Sequence, residues 1–114
     1  MTAQIMPLSS FQQSPTVWKF EGAQYGVELS FFLLETPPGE GPELHSHAYA
    51  ELFVVHDGEV AFTVGTETIA VAGGQVVIVP PETPHAFRNT GTRALGMTSI
   101  HAAGEMRTTW LPAS

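Results

Sequence analysis

The chain reads as all-β, a small antiparallel sandwich or barrel of jelly-roll type. Three observations predict this. Apolar residues recur with a period of two in segment after segment. Eleven Gly and nine Pro cut those segments to strand length. About nine short strands at near-regular spacing leave no stretch that reads as a convincing helix. With 114 residues and 43% apolar content there is material for one domain with a proper core.

Residues 1–15 read as an irregular arm, broken by Ser9, Ser10, Gln12, Gln13 and Pro15, and residues 16–114 as a single barrel domain. Trp18 and Phe20 alternate with Lys19 and Glu21 and open the first strand. A turn at 22–26 leads into 27–36, a long apolar strand. Residues 36–43 (TPPGEGPE) hold three Pro and two Gly and exclude regular structure. Strand 51–56 ends at Asp57-Gly58, a hairpin signal, with 59–64 as the return strand. Gly65-Thr66 turns into 67–72, Gly73-Gly74 into 75–79, and Pro80 to Pro84 into 85–89. Strands at 94–101 and 106–111 complete the pattern.

Charge narrows the function. Four Lys+Arg against eleven Asp+Glu give a net charge of −7, which repels phosphate backbones and anionic lipid. Nucleic-acid and membrane partners are therefore not expected. No apolar run approaches the roughly 20 residues of a membrane span, and MTAQIMPLSS carries no Lys or Arg, so no signal peptide is expected. The chain has no cysteine, which removes disulfides and thiolate chemistry and fits a cytoplasmic location.

His45 and His47 are one residue apart, so on an extended chain they share a face. Glu51 opens the next strand, and His85 follows a proline-rich turn. Three imidazoles and one carboxylate suit a divalent first-row metal, and four protein donors leave positions open on an ion that takes five or six. An H-x-H pair alone is a weak signal, and a glutamate opening a strand is commoner still. The surroundings strengthen it. Gly39, His45, His47, Glu51 and Gly58, with five, one, three and six residues between them, resemble the first signature of the cupin superfamily. Gly74, Pro80, His85 and Asn89, with five, four and three residues between them, resemble the second. Fifteen residues separate the two, similar to compact single-domain microbial cupins.

The resemblance implies an antiparallel double-stranded β-helix (a jelly-roll barrel) that holds one divalent metal (Fe, Mn, Ni, Zn or Co) through His45, His47, Glu51 and His85. It also implies a homodimer. The apolar arm and a tail bearing Trp110 and Leu111 are available to cover a neighbour's sheet edge or to fold back on their own subunit. One position departs from the pattern. The second signature has a glycine two residues after its proline, and here Glu82 stands there, so a type I turn with Pro81 at its second position is expected.

Strand parity extends the site. With Glu51 inward, so are Phe53 and Val55; with His85 inward, so are Phe87 and Asn89. Strand 59–64 turns Val60, Phe62 and Val64 inward, and Phe31, Phe32 and Leu33 supply another wall. Phe53, Val55, Phe62, Phe87 and Asn89 are thus the expected substrate pocket, although each aromatic also serves a small barrel as plain core. Tyr49, between the ligands, is a candidate catalytic residue through its hydroxyl. His56 has the parity of Leu52 and Val54 and faces away, as does Arg88. His101 ends a strand, and a surface position is expected for it in preference to one behind the site.

A pocket without an evident cation disfavours polyanions and favours a small chelating organic molecule. The reading that asks least of the residues is a mononuclear metal-dependent dioxygenase. A metal-dependent isomerase, lyase or decarboxylase and a non-catalytic small-ligand barrel are the alternatives, since fold does not choose among them.

Overall fold

A computed structural model describes residues 2–112, so Met1 of the arm and Ala113 and Ser114 of the barrel segment lie outside the described residues. Among the described residues eleven strands are divided between two antiparallel sheets. They are β1 (Gln12–Ser14), β2 (Val17–Glu21), β3 (Ser30–Thr36), β4 (His45–Ser46), β5 (Glu51–Asp57), β6 (Glu59–Val64), β7 (Glu67–Ala72), β8 (Gln75–Val79), β9 (His85–Asn89), β10 (Leu95–His101) and β11 (Thr109–Trp110). One sheet has the order β1-β2-β3-β10-β5-β8 and the other β11-β4-β9-β6-β7. The only helical turns among the described residues are two short 3-10 segments, Leu8–Phe11 and Gly22–Tyr25.

Two of the eleven strands escape sequence reading because they are so short. β1 pairs with β2 from within the arm segment, and β4 consists of the first histidine and its neighbour. The Asp57-Gly58 hairpin is overturned. β5 pairs with β10 and β8, whereas β6 pairs with β9 and β7, so this turn carries the chain from one sheet to the other. Gly58 makes the corner at φ 105°, and a Cβ there would stand 3.3 Å from the Leu95 backbone. Gly73-Gly74 crosses back in the same way, while Gly65-Thr66 does close a hairpin, with Val64 opposite Glu67.

The inner faces of the two sheets meet in a core of Phe53, Val55, Val60, Phe62, Val71, Val79, Phe87, Leu95 and Met97. Phe62 packs edge-on against Phe53 (4.9 Å) and tilted against Phe87 (5.6 Å). Full burial of such a side chain contributes about 1.5–3 kcal/mol. The strict alternation of β10, buried at Leu95, Met97, Ser99 and His101, is the sequence period made visible.

On β3 the expected wall splits by parity. Phe32 turns toward the interior with Leu34, while Phe31 turns outward and stacks on Phe20 at 5.0 Å. Leu33, alternating with Phe32, goes with Phe31 and lies opposite Trp18 of β2.

Candidate metal centre

Backbone register brings the candidate donors together. His45 of β4 stands opposite His85 of β9, and His47 follows two residues on. Glu51 enters from the other sheet at the start of β5, with His101 of β10 directly across from it. One nitrogen from each of His45, His47 and His85 and one oxygen of Glu51 lie within 4.8 Å of one another, and all four residues are buried.

The imidazole orientations follow from the backbone. The His45 Nδ1–H donates to the Glu43 carbonyl (2.7 Å), the His47 Nδ1–H to Arg107 (2.8 Å) and the His85 Nδ1–H to Thr83 (2.8 Å). A carbonyl only accepts, so each ring spends its Nδ1 proton outward and turns Nε2 inward. There His47 Nε2 and His85 Nε2 sit 3.0 and 2.9 Å from the same Glu51 oxygen, Oε1. His47 Nε2 is buried with no aligned hydrogen-bond partner. Two inward nitrogens against one carboxylate oxygen, with a third nearby, demand positive charge between them, a proton or a cation. The donor set fits one divalent transition ion, with neutral nitrogens and a single anionic oxygen.

Electrostatics agree. Burial pushes the Glu51 carboxyl up, but the His101, His47 and His85 rings set against it outweigh burial and hold the group well below the usual carboxylate range. Burial lowers the His45 pKa, only partly offset by the Glu43 carbonyl, so this ring is neutral at pH 7. At His47 burial also acts downward, but the Glu51 carboxylate and the Arg107 carbonyl prevail and the pKa is raised.

A cavity of about 400 Å³ opens in front of these atoms. Phe53 and Phe87 line it, together with Phe32, Leu34, Pro42 and Trp110. Val55 and Phe62 do not line it, because they fill the closed core beneath. Asn89 lies outside it too. Its amide donates to the Thr36 and Arg93 carbonyls and its oxygen accepts from Gly91 N–H, so it clamps loops. Trp110 pairs across from His45 within its own chain, 5.0 Å ring to ring, and so belongs to the cavity mouth.

Tyr49 stacks on His47 (5.0 Å, 13°), and its hydroxyl is hydrogen-bonded to His101 Nδ1 at 2.7 Å. Burial raises its pKa, so it is a neutral phenol. His56 is exposed and bonded to Thr98 on the opposite face from Glu51, and Arg88 reaches out to the Gly39 carbonyl.

Two expectations need correction. His101 is 2% exposed, and its Nε2 lies 3.2 Å from Glu51 Oε2. It sits beside the candidate donors because β10 runs down the centre of the six-stranded sheet. Ser99 joins it, donating to the same oxygen at 2.6 Å. A Ser and a His at buried parity positions of one apolar strand were the available signal for both residues. The second correction is Glu82, whose φ is +60°, the value its glycine counterpart would adopt. The turn keeps the shape that glycine favours in place of type I, anchored by Glu82 N–H to the His47 carbonyl (2.7 Å).

Residues 32–101 match the family model of the Cupin domain. The chain belongs to the cupin family. An uncharacterized protein of Methanocaldococcus jannaschii, MJ1618, is 31% identical over 67 residues, 58% of this cupin and 54% of that protein. Among solved structures, an oxalate decarboxylase variant of Bacillus subtilis superposes with a TM-score of 0.79 at 22% identity over 91% of this chain and 31% of its own. An oxalate oxidase superposes with a TM-score of 0.73 at 16% identity, over 87% of this chain and 57% of its own. These likenesses establish the jelly-roll fold of this cupin. It spans about half the length of its curated relative and about a third of the decarboxylase. The Bacillus subtilis oxalate decarboxylase has Mn(II) centres. Among the described residues no helix is long and apolar enough to cross a membrane.

Proposed function

We propose that this cupin is a mononuclear metal-dependent dioxygenase acting on a small chelating organic molecule, with His45, His47, Glu51 and His85 holding the ion. The observation that carries this reading is the gathering of one nitrogen from each of three histidines and one Glu51 oxygen within 4.8 Å of one another, with all three Nδ1 atoms spent on carbonyls and the His47 and His85 Nε2 atoms 3.0 and 2.9 Å from that oxygen. A divalent ion held there supplies Lewis acidity and open positions at which dioxygen and a chelating substrate meet.

The chain's residues do the rest. Phe32, Leu34, Phe53, Phe87 and Trp110 give the substrate an apolar body to lie against and exclude water from the donors. No Lys or Arg is among the described residues lining the cavity, and Glu40 stands among them. That disfavours a compact dianion such as oxalate. With one carboxylate among its donors, a divalent ion keeps one net positive charge and selects a neutral or monoanionic ligand. The polar groups deep in the cavity are engaged: His101 with Tyr49 and Ser99, Ser99 with Glu51. A proton-transferring lyase or isomerase lacks a free base there, which favours the oxygenase.

Oxygen uptake by the Fe(II)-loaded protein over a panel of catechols, flavonols, thiols and β-diketones tests the activity. Uptake with one class supports the dioxygenase. Anaerobic turnover of an enol supports the isomerase, and tight binding without turnover supports a ligand-binding barrel. The ligand set has a separate test. Elemental analysis of protein purified without added metal should show a divalent ion, lost or reduced at least tenfold in His47→Ala; equal content in both would refute it.

The same reading includes a cytoplasmic homodimer, supported by a cysteine-free sequence and by apolar side chains on the outer face of the six-stranded sheet.

A further inference from the structure

We propose that Ser99 and His101 are positioning residues that lock Glu51 into binding through one oxygen only, so that a coordination position stays open for substrate. The inference rests on the metal reading above and adds two residues to it.

The two oxygens of Glu51 live in different surroundings. Oε1 faces His47 and His85, on the side of the candidate ion. Oε2 accepts the Ser99 hydroxyl proton at 2.6 Å and lies 3.2 Å from His101 Nε2. Proton accounting fixes the direction of the next bond behind it. Ser99 has one proton and gives it to the carboxylate, so its oxygen accepts at 3.0 Å from His101 Nε2–H. His101 Nδ1 is hydrogen-bonded to the Tyr49 hydroxyl at 2.7 Å, and the Tyr49 oxygen accepts from the Arg107 N–H at 3.3 Å. The Ser99 hydroxyl and the His101 Nε2–H thus both stand on the Oε2 side of Glu51.

Backbone register makes it rigid. His101 is the cross-strand neighbour of Glu51, and Ser99 is that of Phe53. Ser99 and His101 are each 2% exposed, so water does not compete for their bonds. A carboxylate free at both oxygens can swing to chelate an ion with both and occupy a position the substrate needs. Here the second oxygen is held from behind by a short bond from Ser99, whose own oxygen is held in turn by His101.

The test uses the Zn(II)-loaded full chain with Ser99→Ala, Ser99→Thr and His101→Phe. Difference infrared spectra with labelled glutamate report the splitting of the carboxylate stretches, wide for one-oxygen and narrow for two-oxygen binding; calorimetry reports affinity. The wild type and Ser99→Thr, which keeps the hydroxyl, should show the wide splitting. Ser99→Ala and His101→Phe should narrow it and lose about 10–100-fold in Zn(II) affinity. If Ser99→Ala does not fold, His101→Phe carries the test, because losing the ring that holds the Ser99 oxygen should narrow the splitting in the same way. A wide splitting and unaltered affinity in Ser99→Ala, or in His101→Phe where Ser99→Ala does not fold, overturns the inference and leaves the metal reading standing. A wild-type chain that takes up no Zn(II), Mn(II) or Fe(II) overturns both.

Discussion

His47 shows how much one side chain can report. Its ring is pinned at Nδ1 by the Arg107 carbonyl, and its Nε2 is buried beside Glu51 without an aligned partner. With its pKa raised by that carboxylate and that carbonyl against the opposing effect of burial, the metal-free protein holds a proton here above the usual histidine range. A metal must displace it. Affinity for Mn(II) or Zn(II) should therefore climb with pH up to that raised pKa and level off above it. Close to one proton should be released per ion on the acid side, and none on the alkaline side. Calorimetry in buffers of different ionisation enthalpy measures the count; a pH-independent affinity would contradict the assignment. His45, lowered by burial, is already neutral and supplies no proton near pH 7. The two histidines of one H-x-H pair thus differ in protonation because only one of them faces the carboxylate at close range.

The turn between β8 and β9 decides where His85 points. Sequence reading expected Glu82 to convert it to type I, since a side chain pays to adopt positive φ; the strand spacing prevails, and Glu82 sits at φ +60°. Glu82→Gly should then stabilise the fold by up to about 1 kcal/mol, the left-handed cost less the entropy glycine adds to the unfolded chain. Urea unfolding would show a higher midpoint at constant slope, and a lowered midpoint would refute the account. The Asp57-Gly58 corner teaches the converse. Its residues are those of a hairpin, and Gly58 does take a positive φ, but the strands on either side belong to different sheets. Turn chemistry sets the local bend, whereas partner choice belongs to the strands that flank it.

Across the whole molecule, the outer face of the six-stranded sheet is the feature that the monomer does not use. Val76 and Ile78, on its edge strand β8, are 58% and 67% exposed, and Leu52 and Val54 are their cross-strand neighbours on the same face. Exposed apolar rows beside an open edge favour a second copy over solvent. Light scattering should find a dimer that the paired substitutions Val76→Asp and Ile78→Asp convert to monomer without changing metal content. A wild-type monomer would remove the dimer from the proposal. Trp110, one of the residues available for a neighbour's edge, is instead committed to its own cavity mouth beside His45.

Alternation by itself placed Glu51 with Phe53 and Val55, and His85 with Phe87 and Asn89, on buried faces, because the side-chain period of a strand is a local property of the backbone. Motif spacing singled out the four donors that the structure gathers within 4.8 Å. Alternation did not reveal which sheet each strand joins, nor that β10 runs between β3 and β5. The same ignorance put His101 on the surface and left Ser99 unnoticed, while Val55, Phe62 and Asn89 were assigned to a cavity that ends above them. Pairing depends on which distant strand offers the better buried face and hydrogen-bond register. Only the folded arrangement of both sheets at once decides that.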